Sequence, residues 1–197
     1  MISIDDVKAL RERTGISVMQ CRKALEEAGG DTEKAVVILQ RKSKETADKK
    51  ADRAVGSGTV GSYIHAGGVV GSMVELACET DFVARNDEFV ALAEDLAMHV
   101  AAMSPKYLAM EDISKEDMQR VRDIMEEEVL KEGDKPTEIK EKILDGKIKS
   151  YFNERVLLEQ QFIKESDKTV SSIIKEAVQK FGENTRITRF ARFAIGE

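Results

Sequence analysis

The chain has 197 residues, with 31 Lys and Arg against 37 Asp and Glu, for a formal net charge of −6. That length allows one or two domains with a sizeable core, and 42% apolar residues is too rich in core formers for a disordered chain. The acidic balance argues against a protein whose main work is neutralising nucleic-acid phosphates, and no apolar run nears the ~20 residues that span a bilayer.

Two cysteines, Cys21 and Cys78, are too few for a disulfide framework and suit a reducing compartment. Charges from Asp5 onward do not fit a signal peptide. The expectation is a helix-rich protein of the cytoplasm, without a membrane anchor or direct nucleic-acid contact.

Residues 1–40 read as a unit of three short helices. Ser3 or Asp5 can cap the first, which carries Val7 and Leu10 and stops at Thr14-Gly15. Ser17 with Gln20 makes a capping-box pattern for the second. Val18, Cys21, Leu25 and Ala28 then form one apolar stripe at i, i+3, i+7 and i+10. Gly29-Gly30 ends that helix, and Asp31 caps a third with Ala35, Val36, Ile38 and Leu39 facing inward. So small a unit is marginal unless a neighbour or partner supports it. Residues 41–55 are charged and nearly free of apolar side chains, so they read as a linker, with partial helicity as the alternative, leading to a second domain over 56–197.

In that domain Thr59–Ala66 and Val69–Cys78 read as two strands joined by Gly67-Gly68. A helix over 87–103 sets Phe89, Leu92, Leu96, Val100 and Met103 on one face, and Pro105 ends it. A helix over 114–131 carries Met118, Val121, Met125 and Val129 in register, and Gly133-Asp134-Lys135-Pro136 breaks the chain. Helical patterns resume through 137–163, and a further helix near 168–181 aligns Val170, Ile173, Ile174, Ala177, Val178 and Phe181. Arg186–Ile195 alternates and is β-prone. Because a lone hairpin is rarely stable, hairpin and terminal segment are expected to form a three-stranded antiparallel sheet covered by helices. The fold class is α+β.

Little in the sequence suggests catalysis. Gly56-x-Gly58-x-x-Gly61 formally matches a dinucleotide fingerprint, but that motif needs a strand before it and a helix after it. A kinase-type loop would need a lysine on the following strands, and none occurs between Lys50 and Lys106. These glycines read as linker and strand-entry residues. His65 and His99 have no metal-ligand spacing, so they read as structural or surface imidazoles. Cys21 and Cys78 read as buried thiols, with pairing of Cys78 across an oligomer interface as the alternative. Glu126-Glu127-Glu128 reads as a solvated helix face. Neither a catalytic residue, a metal nor a cofactor is expected, and the protein is not expected to be an enzyme.

One segment, Thr80–Asp87, joins a buried strand to a helix capped by Asn86 or Asp87, and it sets Phe82 beside Asp81. Either Phe82 folds back onto the core, or it is an apolar anchor beside a charge, as suits a binding wedge.

At these residues the sequence resembles the elongation factor Ts family, the nucleotide-exchange factors of elongation factor Tu. Two stretches carry the resemblance: Leu10–Gly15 through Met19, Cys21, Lys23, Ala24 and Leu25, and the more specific Glu75–Arg85. Lys49-Lys50-Ala51-x-Arg53-Ala54, Pro105-x-Tyr107-Leu108, Gly133-x-Lys135-Pro136, Leu157–Gln160 and Phe190–Phe193 with Gly196 extend it over the chain. Ile16-Ser17-Val18, Arg22 and Ala77 depart from the family pattern, which touches loop geometry and strand-end hydrogen bonding.

The resemblance implies a ubiquitin-associated-like three-helix module followed by an α+β exchange core. It implies binding to the G domain of elongation factor Tu and release of GDP by disturbing the magnesium and phosphate site. Thr80, Asp81, Phe82 and Val83 would form the exchange wedge, and Thr14, Gly15, Val18 and Met19 the contact of the N-terminal module, unless Val18 and Met19 simply pack the three-helix core. Long family members carry two related core subdomains, so this length implies the short form. A homodimer joined through the sheets would restore the missing half. The competing classes are a general interaction module, which the motifs outside the N-terminal module rank second, and an enzyme acting through carboxylates such as Asp81 and Glu79, which ranks last because no acid, base or metal partner supports it.

Overall fold

A computed structural model describes residues 2–131 and 136–196. Helix α1 (Ile4–Thr14) starts at a reciprocal cap in which Ser3 Oγ accepts the Asp6 N–H and the Asp6 carboxylate accepts the Ser3 N–H. Gly15, at φ 65°, closes it in the left-handed region that glycine tolerates. Helix α2 (Val18–Glu27) has Ser17 as its cap. Asp31 opens α3 (Thr32–Lys50) by accepting the Lys34 N–H. Leu10, Ile16, Cys21, Ala24, Leu25, Ala35 and Leu39 fill the space between the three helices. The expected α2 stripe is only partly inward: Val18 stands exposed, and Ile16 and Ala24 take the core positions.

The third helix is not short. It runs through the charged stretch as far as Lys50, because that stretch has an inward face of small residues. Ser43 is buried and hydrogen-bonded to Gln179, and half-buried Thr46 and Ala47 continue its face. The Lys50 ammonium donates to the Gly182 carbonyl. The three-helix unit is thereby packed onto the rest of the chain through α3.

Strands β1 (Ser57–Ile64) and β2 (Val70–Cys78) pair antiparallel, from Ser57 opposite Cys78 to Ile64 opposite Gly71. The turn between them closes through the His65 N–H on the Val70 carbonyl (2.8 Å), with Gly67 and Gly68 at positive φ. A single helical turn, α4 (Asp81–Ala84), leads into α5 (Asp87–Met103), capped by Asn86. Phe89, Ala93, Leu96, Ala97 and Val100 of α5 pack on Val74 and Leu76 to form the main core. Gly61 lets the helix come so close: a Cβ there would run into the Ala93 carbonyl. The fingerprint glycine is thus a packing residue.

Helices α6 (Lys115–Lys131) and α7 (Thr137–Asn153) form a pair around Val121, Phe152 and Val156. Of the expected break at 133–136, residues 133–135 lie outside the described residues, and Pro136 stands at the start of α7. The expected helix to 163 ends at Asn153 instead. The backbone beyond it is diverted, because the Leu157 and Leu158 N–H groups donate to the Tyr107 and Leu108 carbonyls (2.8 and 3.1 Å). A small hairpin follows, β3 (Gln161–Phe162) against β4 (Glu165–Thr169), and then α8 (Val170–Phe181). Five of the six expected apolar residues of α8 are buried, Val170, Ile173 and Ile174 in the main core, and Phe181 packs at its edge. β5 (Arg186–Ala194) pairs antiparallel with β2, giving the sheet order β1-β2-β5 and an α+β fold.

His99 is buried between α5 and the small hairpin. Its Nδ1 accepts the Ile163 N–H (3.2 Å), so Nε2 carries the proton and donates to Gln160 Oε1 (3.0 Å). Burial pushes the imidazole below the ordinary histidine range, only partly opposed by Gln160. The unfolded chain takes up a proton as pH falls through ~6.5 while folded His99 does not, so stability present above that pH is lost below it. The denaturant midpoint should fall between pH 7.5 and 5.5, with a slope of at most about 1.4 kcal/mol per pH unit from this group. His99→Gln should flatten that dependence.

Candidate functional site

The candidate site has two parts, one on each side of the C-terminal end of α8. The first is the turn from Thr80 to Arg85. Its one helical turn starts at Thr80, whose side chain accepts the Val83 N–H (3.5 Å). Successive helical residues point about 100° apart, so Val83 and Ala84 turn into the core and Phe82 turns out. Phe82 is 82% exposed, more than any other aromatic side chain among the described residues. The fold-back reading does not hold, because Val83 and Ala84 occupy the inward positions. Val83 therefore anchors the turn and offers no surface. Asp81 pairs with Arg85 at 3.4 Å, and both side chains are exposed, so the pair contributes little and leaves Asp81 free to change partners.

The second part is the start of α2. Val18 (49% exposed) and Met19 (64%) stand on its first turn. Thr14 Oγ1 donates to the Leu10 carbonyl (2.7 Å), and the Gly15 N–H donates to the Arg11 carbonyl (2.7 Å). Thr14 and Gly15 thus shape the turn that presents Val18 and Met19. The Lys180 side chain lies over Gly15, and its Nζ donates to Glu88 Oε1 at 2.9 Å on the first turn of α5. Lys180 thus places Gly15 of the second part beside the start of α5, which follows the first.

The first part is braced by Glu79, which the sequence offered only as part of the Glu75–Arg85 stretch, and by Glu183 and Asn184, which it did not single out. The Glu79 carboxylate accepts the Asn184 N–H (2.6 Å) and faces Arg53 (3.5 Å), which together hold it below the ordinary carboxylate range. No local pattern announces them, because their partners lie 26 to 133 residues away in sequence. Both cysteines are free and buried, so Cys78 has no surface from which to pair with another chain. Among the described residues, no three His, Cys, Asp or Glu side chains gather as a possible metal site. No helix among them is long and apolar enough to cross a membrane.

Fold and site together define a protein in which a three-helix unit is fixed to an α+β sheet unit, each turning apolar side chains to solvent. Comparison with known proteins gives that arrangement a family. Residues 46–197 match the family model described as Elongation factor TS. The chain is 47% identical to elongation factor Ts of Thermosipho melanesiensis over 197 residues, which is 100% of both chains. It is 48% identical to that of Carboxydothermus hydrogenoformans and 46% to that of Moorella thermoacetica, over 100% of this chain and 90% and 97% of theirs. The chain belongs to the elongation factor Ts family, and its role is that of a translation elongation factor.

Proposed function

We propose that this protein is a guanine-nucleotide exchange factor that binds elongation factor Tu·GDP in the cytoplasm and promotes GDP release. The observation that carries the reading is Phe82, a fully presented aromatic ring on a turn fixed at both ends. An exchange factor does no covalent chemistry. It lowers its partner's affinity for nucleotide, and by linkage the nucleotide lowers the partner's affinity for it by the same factor. Phe82 enters an apolar pocket on the G domain, and burying such a ring is worth roughly 1.5–3 kcal/mol. That energy favours a partner conformation whose phosphate and magnesium ligands are displaced. Asp81 competes for polar contacts near the same place. Val18 and Met19 hold the G domain at a second point, which raises the effective concentration of Phe82. The direct experiment follows labelled GDP leaving elongation factor Tu in the presence of substoichiometric protein.

The working form is a homodimer joined through the sheets. What supports this is the sheet face turned away from α5. There Ile64 and Phe193 flank Gly71 across the three strands, beside Met73, Val60 and Ile195. Each of these large side chains is at least half exposed, and Phe193 reaches 71%. Contiguous apolar patches of this kind are rare on monomers, and β1 and β5 are both open edges. Light scattering at micromolar concentration should give twice the chain mass, and Ile64→Glu with Phe193→Glu should give the single mass. A single mass for the unaltered protein removes the dimer.

A further inference from the structure

The turn that carries Phe82 is too short to hold its own shape. It has four helical residues, and isolated helices shorter than about 12–15 residues are marginal in water. Besides the buried Val83 and Ala84, its entry is fixed from more than a hundred residues further on, in the loop between α8 and β5. Glu183 Oε2 accepts the N–H groups of Glu79 (3.1 Å) and Thr80 (3.0 Å), and its Oε1 accepts the Thr80 hydroxyl proton (2.6 Å). One carboxylate therefore satisfies three donors at the entry to α4, and charge-assisted bonds of this kind are the strong ones.

The next residue returns the contact. The Asn184 N–H donates to Glu79, and its Nδ2 donates to the carbonyls of Ala51 (3.2 Å) and Arg53 (2.7 Å). Asn184 is buried. Ala51 and Arg53 lie just beyond α3, where the chain leaves the three-helix unit. Two adjacent residues of one loop thus grip both the turn and the end of the segment leading from the other part of the site.

We propose that Glu183 is a positioning residue for nucleotide exchange: its carboxylate fixes the α4 turn so that Phe82 meets the partner already in place. Asn184 ties that turn to the chain emerging from the three-helix unit. The inference rests on the exchange reading above. Pre-organisation of this kind cuts the ordering cost of the contact, so its loss lowers the limiting rate more than it weakens docking through Val18 and Met19.

The test uses the full chain with Glu183→Ala, Glu183→Gln and, as reference, Phe82→Ala. Amide hydrogen exchange at residues 79–85 should quicken about tenfold in Glu183→Ala, while β2 and α5 keep their protection. GDP release from elongation factor Tu at saturating protein should slow by a similar factor. Glu183→Gln, which keeps one acceptor oxygen, should recover most of both. A limiting rate equal to that of the unaltered protein, beside a slowed Phe82→Ala, overturns the clamp alone. Unchanged amide exchange at 79–85 overturns it as well. Unchanged rates in both Glu183→Ala and Phe82→Ala overturn the exchange reading and the clamp with it.

Discussion

Phe82→Ala is expected to leave the protein folded and to slow stimulated GDP release from elongation factor Tu about 10- to 100-fold. The range follows from the roughly 1.5–3 kcal/mol gained on burying the ring, at about 1.4 kcal/mol per tenfold change in rate. Folding should survive because the ring has little to lose in the free protein, where it is 82% exposed. The inward contacts of the turn belong to Val83 and Ala84, which the substitution leaves in place. Thermal unfolding and far-ultraviolet circular dichroism check the fold, and fluorescent GDP release checks the rate. An unchanged rate means that the exposed ring does not act on the nucleotide site. Val83→Ala should do the opposite, loosening the turn from within at a cost to stability.

Gly61→Ala is expected to be the most damaging small substitution in the sheet. Its Cβ would meet the backbone of Ala93 and Glu94, not the end of a side chain that could swing aside. Helix α5 would have to lift off β1, disturbing the packing of Phe89, Ala93 and Leu96 together. Overpacking costs of this kind run to about 1–3 kcal/mol, and here the upper end applies because the obstruction is backbone. In a chain of this size that lowers the unfolding temperature by roughly 2–4 °C per kcal/mol. Gly56→Ala is the control, since nothing stands within 4 Å of a Cβ there. Equal stability of the two variants would mean that α5 does not need its close approach.

These two positions also mark what a sequence can and cannot reveal. The sheet and its covering helix were legible because the Gly67-Gly68 turn between two strand-like runs, the alternation in Arg186–Ile195 and the Phe89–Leu96–Val100 stripe are clear local signals. The length of α3 was harder to see. Its charged half carries Ser43, Thr46 and Ala47 at helical spacing, a stripe too small and polar to register as apolar. The β3–β4 hairpin gave no signal, since Glu165–Thr169 lacks alternation and gains its place from Phe162 and from the Ile163 N–H on His99. At the site, the family pattern pointed to Phe82 and Asp81, but only the burial of Val83 decides which way the ring faces. The bracing by Glu183 and Asn184 is long-range and has no counterpart in local pattern.

The proposed role of the outward Phe82 is to act on another protein's nucleotide site many times over. The most direct measurement is therefore the rate of labelled GDP release from elongation factor Tu, with excess unlabelled nucleotide and this protein at a small fraction of the partner's concentration. The expected result is complete release, faster than the unaided rate, and proportional to the protein added. Release at the unaided rate, or a burst that stops at the amount of protein added, would contradict it.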